Sequence, residues 1–243
     1  MKLLRQTILF CIWFAASALA QTAETVGEVM LVNGNAFLQR EGTRLRMPIL
    51  AGHPVHVGDV FQTTVGGHLH IRLHDGGFII LRPGSRVIID EYAFLPEYPF
   101  ATKVRLRLEE GVMRGITGEC LKIAKNHFRL NTTVAAIGIS GTDFTAYTNS
   151  VSTRVSVAEG GVVMAPLGGV CSSAALGPCE GSGAKELLAG HNDLMLVFNK
   201  GEVSASIVPA GDHAPDRVSP PFPDEPQLPG GATTPCSVAA PRQ

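Results

Sequence analysis

The sequence predicts an all-β exported protein, and three observations carry that reading. Short β-rich runs with period-two alternation are separated by glycine turns, few segments show helical periodicity, and proline gathers at the C-terminal end. Many short strands at close spacing argue for all-β architecture. The 243 residues divide into a leader over 1–20, a β domain over 24–165, a cysteine-bearing loop with further strands over 166–208, and a Pro-rich tail over 209–243.

The leader has a basic start at Lys2 and Arg5, then an apolar run of about 13 residues, then Ala18-Leu19-Ala20 as a small-x-small cleavage site. A bilayer span needs roughly 20 apolar residues, so this stretch predicts cleavage after Ala20 and a mature chain without a transmembrane segment. The expected location is the periplasm or the exterior. Of the 20 basic residues, Lys2 and Arg5 leave with the leader, so 18 face 21 acidic ones. Such a balance offers no basic field for nucleic acid.

From Gly27 onward, runs at 29–32 and 36–40 flank Asn33-Gly34, a pair suited to a two-residue hairpin turn. Runs at 60–65, 68–74, 78–82 and 86–91 follow, divided by Gly66-Gly67, Asp75-Gly76-Gly77 and Pro83-Gly84-Ser85. In the second of these, Leu69, Ile71 and Leu73 alternate with His68, His70, Arg72 and His74. Farther on, Val104, Leu106 and Leu108 alternate with Lys103, Arg105 and Arg107. Each strand therefore offers one apolar row to a core and one polar row to water. The stretch 92–102, with Phe94, Tyr98 and Phe100 among prolines, reads as an irregular loop whose aromatics cover a sheet end. Glu110-Gly111-Val112-Met113 is echoed by Glu159-Gly160-Gly161-Val162-Val163-Met164, which predicts one turn used twice. From Pro209 onward lie nine of the sixteen prolines, and this tail is expected to be extended and solvated.

Four cysteines remain after the leader: Cys120, Cys171, Cys179 and Cys236. An even count in an exported chain suits disulfides. Cys171 and Cys179 bracket a small-residue loop that closes easily, and Cys120 with Cys236 would then pin the tail to the body.

The blocks Gly27-Glu28-Val29, Gly58-Asp59-Val60 with Thr63, Leu73-His74-Asp75-Gly76 with Leu81, Pro83 and Ser85, and Leu108 to Val112 resemble the FecR-type domain of bacterial envelope proteins. The strongest block runs from Thr132 to Phe144, carrying Thr132, Ala135, Gly138, Gly141, Thr142 and Phe144, and Val157-Ala158-Glu159-Gly160 follows it. The sequence departs from the family pattern at Thr133, often proline, and at Ser140, commonly arginine. The resemblance covers only the periplasmic half of the better-known regulators, without their anti-sigma helix. It implies short antiparallel strands in a solenoid-like or sandwich-like unit and contact with another envelope protein, in signalling or surface assembly. Within the Thr132–Phe144 block, the glycines are expected to turn one strand into the next. Ala135, Ile137 and Phe144 would fill the core while Thr142 and Asp143 satisfy local backbone groups.

Reactive chemistry finds little support. His68, His70 and His74 share a strand face and are the best metal candidates. Arg72 among them repels a cation, and no carboxylate or cysteine lies at ligand spacing, so a solvated polar face is the better reading. Gly138-Ile139-Ser140-Gly141-Thr142 lacks the last glycine and the following helix of a nucleophile elbow. Asp59, Asp75 and Asp143 sit at glycine turns, where Asx hydrogen bonds account for them. The expectation is a non-catalytic protein without cofactor. A glycan or cell-wall-binding module is the alternative.

Overall fold

The structure, a computed structural model, describes residues 24–118, 121–122 and 124–226. The leader, Cys120, Cys236 and residues 227–243 lie outside the described residues, and with them the expected cleavage site and the Cys120–Cys236 pairing.

Fifteen strands follow one another: β1 (Thr25–Asn33), β2 (Ala36–Gln39), β3 (Arg46–Pro48), β4 (Pro54–His56), β5 (Val60–Thr63), β6 (His68–Leu73), β7 (Phe78–Leu81), β8 (Arg86–Ala93), β9 (Lys103–Ile116), β10 (Phe128–Asn131), β11 (Ala135–Thr148), β12 (Ser152–Pro166), β13 (Lys185–Leu188), β14 (Leu194–Asn199) and β15 (Ser206–Pro209). They form one continuous hydrogen-bonded sheet. Three long strands, β9, β11 and β12, bend and carry the sheet from one layer to another. In the first layer the order is β4-β1-β6-β7-β9-β11-β12-β14-β15. In the second it is β3-β2-β5-β8-β9-β10-β11-β12-β13. The arrangement is sandwich-like, its two layers sharing their middle strands within one mixed sheet.

The bends have a local cause. Each long strand contains a bulge beside a glycine at positive φ: Gly111 (φ 90°), Gly141 (φ 61°) and Gly160 (φ 76°). A bulge adds one unpaired residue and resets the period-two alternation. In β9 the inward residues are Val104, Leu106 and Leu108 before the bulge and Met113 after it. In β11 they are Ala135, Ile137 and Ile139, then Phe144 and Ala146. In β12 they are Val155 and Val157, then Val162 and Met164. The Glu-Gly echo therefore marks two phase resets inside strands, not a repeated turn. The same holds at Gly141: the Arg129–Phe144 region is a short strand followed by one bent strand, and its glycines do not divide β11.

Other pairings depart from the sequence reading. β1 and β2 do not pair across Asn33-Gly34; β1 joins β6 in one layer and β2 joins β5 in the other, so this turn is a corner between layers. Of the expected neighbours in the glycine-rich block, only β6 and β7 form a hairpin. β9 and β10 run parallel, an exception to the antiparallel pattern. The core between the layers holds Phe61, Leu69, Ile71, Ile79, Leu106, Leu130, Ile137 and Phe144, among others. Phe144 meets Phe128 edge-to-face at 6.1 Å and lies over Gly115, where a Cβ would meet its ring at 2.6 Å.

Part of each outer face is covered by chain that follows β12. Residues 171–179 lie on the second layer. Residues 210–226 cross the first, through a 3-10 turn (Gly211–His213) and a short helix α1 (Pro215–Val218). The expected solvated tail is thus seated against the sheet up to residue 226, with Glu225 4% exposed. Proline bars this segment from a strand ladder, yet its acids find cations on the sheet face, and that attraction holds it down.

Candidate functional site

The first layer's outer face is built from two adjoining rows. Register places His70, Ile80, Arg114, Thr145 and Ser156 side by side across five strands. The next row holds Val112, Tyr147, Arg154 and Val197, with His68 and Arg82 at its other end, where Arg82 donates its backbone N–H to Val112. In each strand these alternate with core residues, so the sheet's pleat aims arginines and imidazoles outward together.

The strap formed by residues 210–226 buries this face. Arg82 is 1% exposed. Its Nε donates to Glu225 at 2.8 Å, its Nη2 to the other Glu225 oxygen at 3.1 Å, and its Nη1 to Asp216 at 2.8 Å and the Ser219 carbonyl at 2.6 Å. Every acceptor of this guanidinium among the described residues belongs to the strap. Arg114 bridges the two parts. It holds Asp143 of β11 in a bidentate pair at 2.8 and 2.6 Å and reaches Glu225 at 3.2 Å. Bidentate pairs of this kind combine charge with fixed geometry. The hydrogen bonds to Asp143 raise the Arg114 pKa against its burial. Burial alone would push the Glu225 carboxyl up, but the hydrogen bonds and charge of Arg82, with those of Arg114, bring it below its ordinary value.

Phe222 sits on the histidines, 4.8 Å from the His68 ring and 6.3 Å from the His70 ring. Burial lowers the pKa of both imidazoles. The expected solvated histidine face is therefore covered, and His70 is 2% exposed. His74 stands in the turn after β6 and is exposed. Among the described residues, no group of three His, Cys, Asp or Glu side chains is placed to hold a metal.

Asp143 serves Arg114, not the local backbone expected of it. The Thr142 backbone is held by the Thr117 hydroxyl, which accepts from the Thr142 amide and donates to the Thr142 carbonyl. Asp59 and Asp75 do make the local bonds, to the His56 and Gly77 amides. Thr132 binds the Ala135 amide at 2.9 Å and Thr153 at 2.7 Å, fixing the entry to β11. Gly138 lies on the other outer face, where a Cβ would strike the Pro178 backbone.

That second outer face has its own buried cation. Cys171 and Cys179 form a disulfide, with Cα atoms 5.7 Å apart. Arg129, 1% exposed, donates to their sulfurs at 3.3 and 2.9 Å, and burial lowers its pKa. Asn131 and Arg105 hold the loop's carbonyls at Ser173 and Ala174. The basic row expected to be solvated is matched by acids, Arg105 by Glu91 and Arg107 by Asp90. The aromatic loop does not cover the sheet end: Tyr98 and Phe100 are 58% and 59% exposed and pack edge-to-face on each other.

Arg82, Arg114 and Glu225 were not singled out in the sequence. The available signal was the cluster of acids among the tail prolines, Asp216, Asp224 and Glu225, in a segment too charged to be mere spacer.

Residues 59–163 match the family model described as FecR protein. Two crystal structures of a Parabacteroides distasonis protein assigned as an anti-sigma factor are similar to the chain, at 15% and 16% identity and TM-scores of 0.43 and 0.42. Each alignment covers 62% of this chain and 59% of that protein. No curated protein matches the chain significantly.

Proposed function

We propose, from a chain whose residues 59–163 form a FecR-type domain, that this protein is a non-catalytic β-module working in the bacterial envelope through contact with another protein, in signalling or surface assembly. One observation carries the reading. The domain's sheet face holds a buried arginine, Arg82, whose guanidinium is satisfied by a peptide segment lying outside the family match. A face that holds an acidic segment through charge-assisted hydrogen bonds is suited to recognising protein and has no chemistry to perform. The module is exported by its leader and acts in the periplasm or outside the cell.

The test is retention from envelope extract on the immobilised full-length mature chain. A specific envelope protein should be retained and should be lost at high salt. Recovery of no protein at low salt would overturn the reading. A second reading, a glycan or cell-wall contact, draws on the exposed Tyr98 and Phe100 rings, since exposed aromatic faces suit sugar rings. Sedimentation with purified peptidoglycan, compared for the wild type and Tyr98→Ala/Phe100→Ala, separates the two.

A further inference from the structure

We infer that the outer face of β6, β7, β9 and β11 is a docking groove for an acidic, aromatic-bearing peptide segment of a partner protein, and that residues 210–226 occupy it in cis. The inference rests on the protein-contact reading and names the partner's chemistry.

The groove and its occupant come from different parts of the chain. His68, His70, Arg82, Arg114 and Asp143 all lie within the residues that match the family model, while the strap lies beyond them. The strap's anchors are sparse and are those of a linear motif. Asp216 and the Ser219 carbonyl take Arg82, Phe222 covers the imidazoles six residues after Asp216, and Glu225 takes Arg82 and Arg114 three residues later. Its apolar contribution beyond Phe222 is small side chains, Ala210 and Ala214 against Met195, and the buried Pro215. The seat is also incomplete. A cleft of about 530 Å³ remains between strap and sheet, lined by Thr145, Ser156, Asp193, Ala210, Asp216 and Arg217. An occupant that leaves such space while satisfying a buried guanidinium can be exchanged for one with the same anchors and a better fit.

The partner segment is accordingly defined by a carboxylate, an aromatic ring about six residues on, and a second carboxylate about three residues after that. The tethered strap competes at high effective concentration, so a partner's apparent affinity falls by the fraction of time the groove is empty. Weakening the strap should therefore increase binding in trans.

The experiment uses full-length mature chain and a fluorescent synthetic peptide of residues 212–226, read by anisotropy. Asp216→Asn/Glu225→Gln in the chain should tighten peptide binding at least tenfold over wild type. A peptide with its acids replaced by amides should bind at least tenfold more weakly to that variant, as should the native peptide when Arg82→Gln is added. Equal binding of the acidic and amidated peptides, or no gain on weakening the strap, overturns the inference. The amidated peptide keeps the test valid if the Arg82 variant fails to fold. A strap-weakened chain that only dimerises and takes no peptide also overturns it, because the occupant is then a second copy. Retention of an envelope protein without peptide binding ends the groove inference and leaves the protein-contact reading standing; failure of both ends both.

Discussion

Replacing Glu225 with glutamine should release the strap while leaving the sandwich folded. The Glu225 carboxylate accepts from Arg82 at 2.8 and 3.1 Å and from Arg114 at 3.2 Å, and both Arg82 and Glu225 are buried. With charge centres about 4 Å apart and an effective dielectric of about 20, one unit-charge pair is worth about 4 kcal/mol. Removing one partner of a buried pair typically costs about 3–5 kcal/mol, because the other charge stays buried and uncompensated. The strap's remaining hold comes chiefly from three contacts. The Asp216 side chain is nearly half exposed, so its pair with Arg82 adds about 0–1 kcal/mol. Phe222, partly buried, adds about 1–2 kcal/mol. The Ser219 carbonyl still accepts from Arg82, which adds about 1.5–3 kcal/mol. The penalty is therefore as large as the remaining hold, and lifting the strap lets water reach Arg82. Hydrogen exchange at the Ser219 and Glu225 amides should therefore accelerate by about a hundredfold, since tenfold corresponds to about 1.4 kcal/mol. The core strands should keep their protection. Glu225→Leu with Arg82→Met, which removes both charges together, should restore much of the docking. Unchanged exchange at Ser219 and Glu225, with global stability within about 0.5 kcal/mol of wild type, would refute the reasoning.

Other outcomes follow from the same geometry. Cys171→Ser/Cys179→Ser should lower denaturant stability by about 2–3 kcal/mol, the chain-entropy value for so short a loop, and should expose Arg105 and Arg129 to solvent exchange. Gly138→Val should destabilise by about 1–3 kcal/mol through overpacking, visible in urea melts and as a displaced 171–179 loop, because its side chain meets the Pro178 backbone. Acid should loosen the strap. Burial lowers the pKa of His68 and His70, with Glu225, Asp224, Arg82 and Arg114 facing them, and the Glu225 pKa is lowered by its arginines. Folded pKa values below the unfolded ones give stability that is full above the unfolded pKa and lost as pH falls through the folded one. Protection of the strap amides should thus decline below about pH 6.5 for the histidines, and further below about pH 4.5 for Glu225. Constant protection from pH 7 to 4 would contradict this assignment.

What the sequence determined by itself was the local grammar. Period-two alternation in 68–74 and 103–108 placed Leu69, Ile71, Leu106 and Leu108 in the core, because successive strand side chains point to opposite faces. The apolar residues of the Thr132–Phe144 block pointed to Ala135, Ile137 and Phe144 as core, where they lie, and the family resemblance of the sequence is matched over residues 59–163. Tertiary structure decided what lies against the polar rows. Alternation says that His68 and His70 face away from the core, and the simplest inference is water. Only the fold brings residues 210–226 across that face, more than a hundred positions away in sequence. The glycine bulges show the same division. Gly111, Gly141 and Gly160 are visible in the sequence as points where a strand pattern breaks. Whether the chain turns back or bends onward depends on its pairing partners, and here β9, β11 and β12 continue into the second layer. Short-range sterics fix which residues alternate. Long-range pairing and charge fix what each face meets, and no single stretch of sequence contains them.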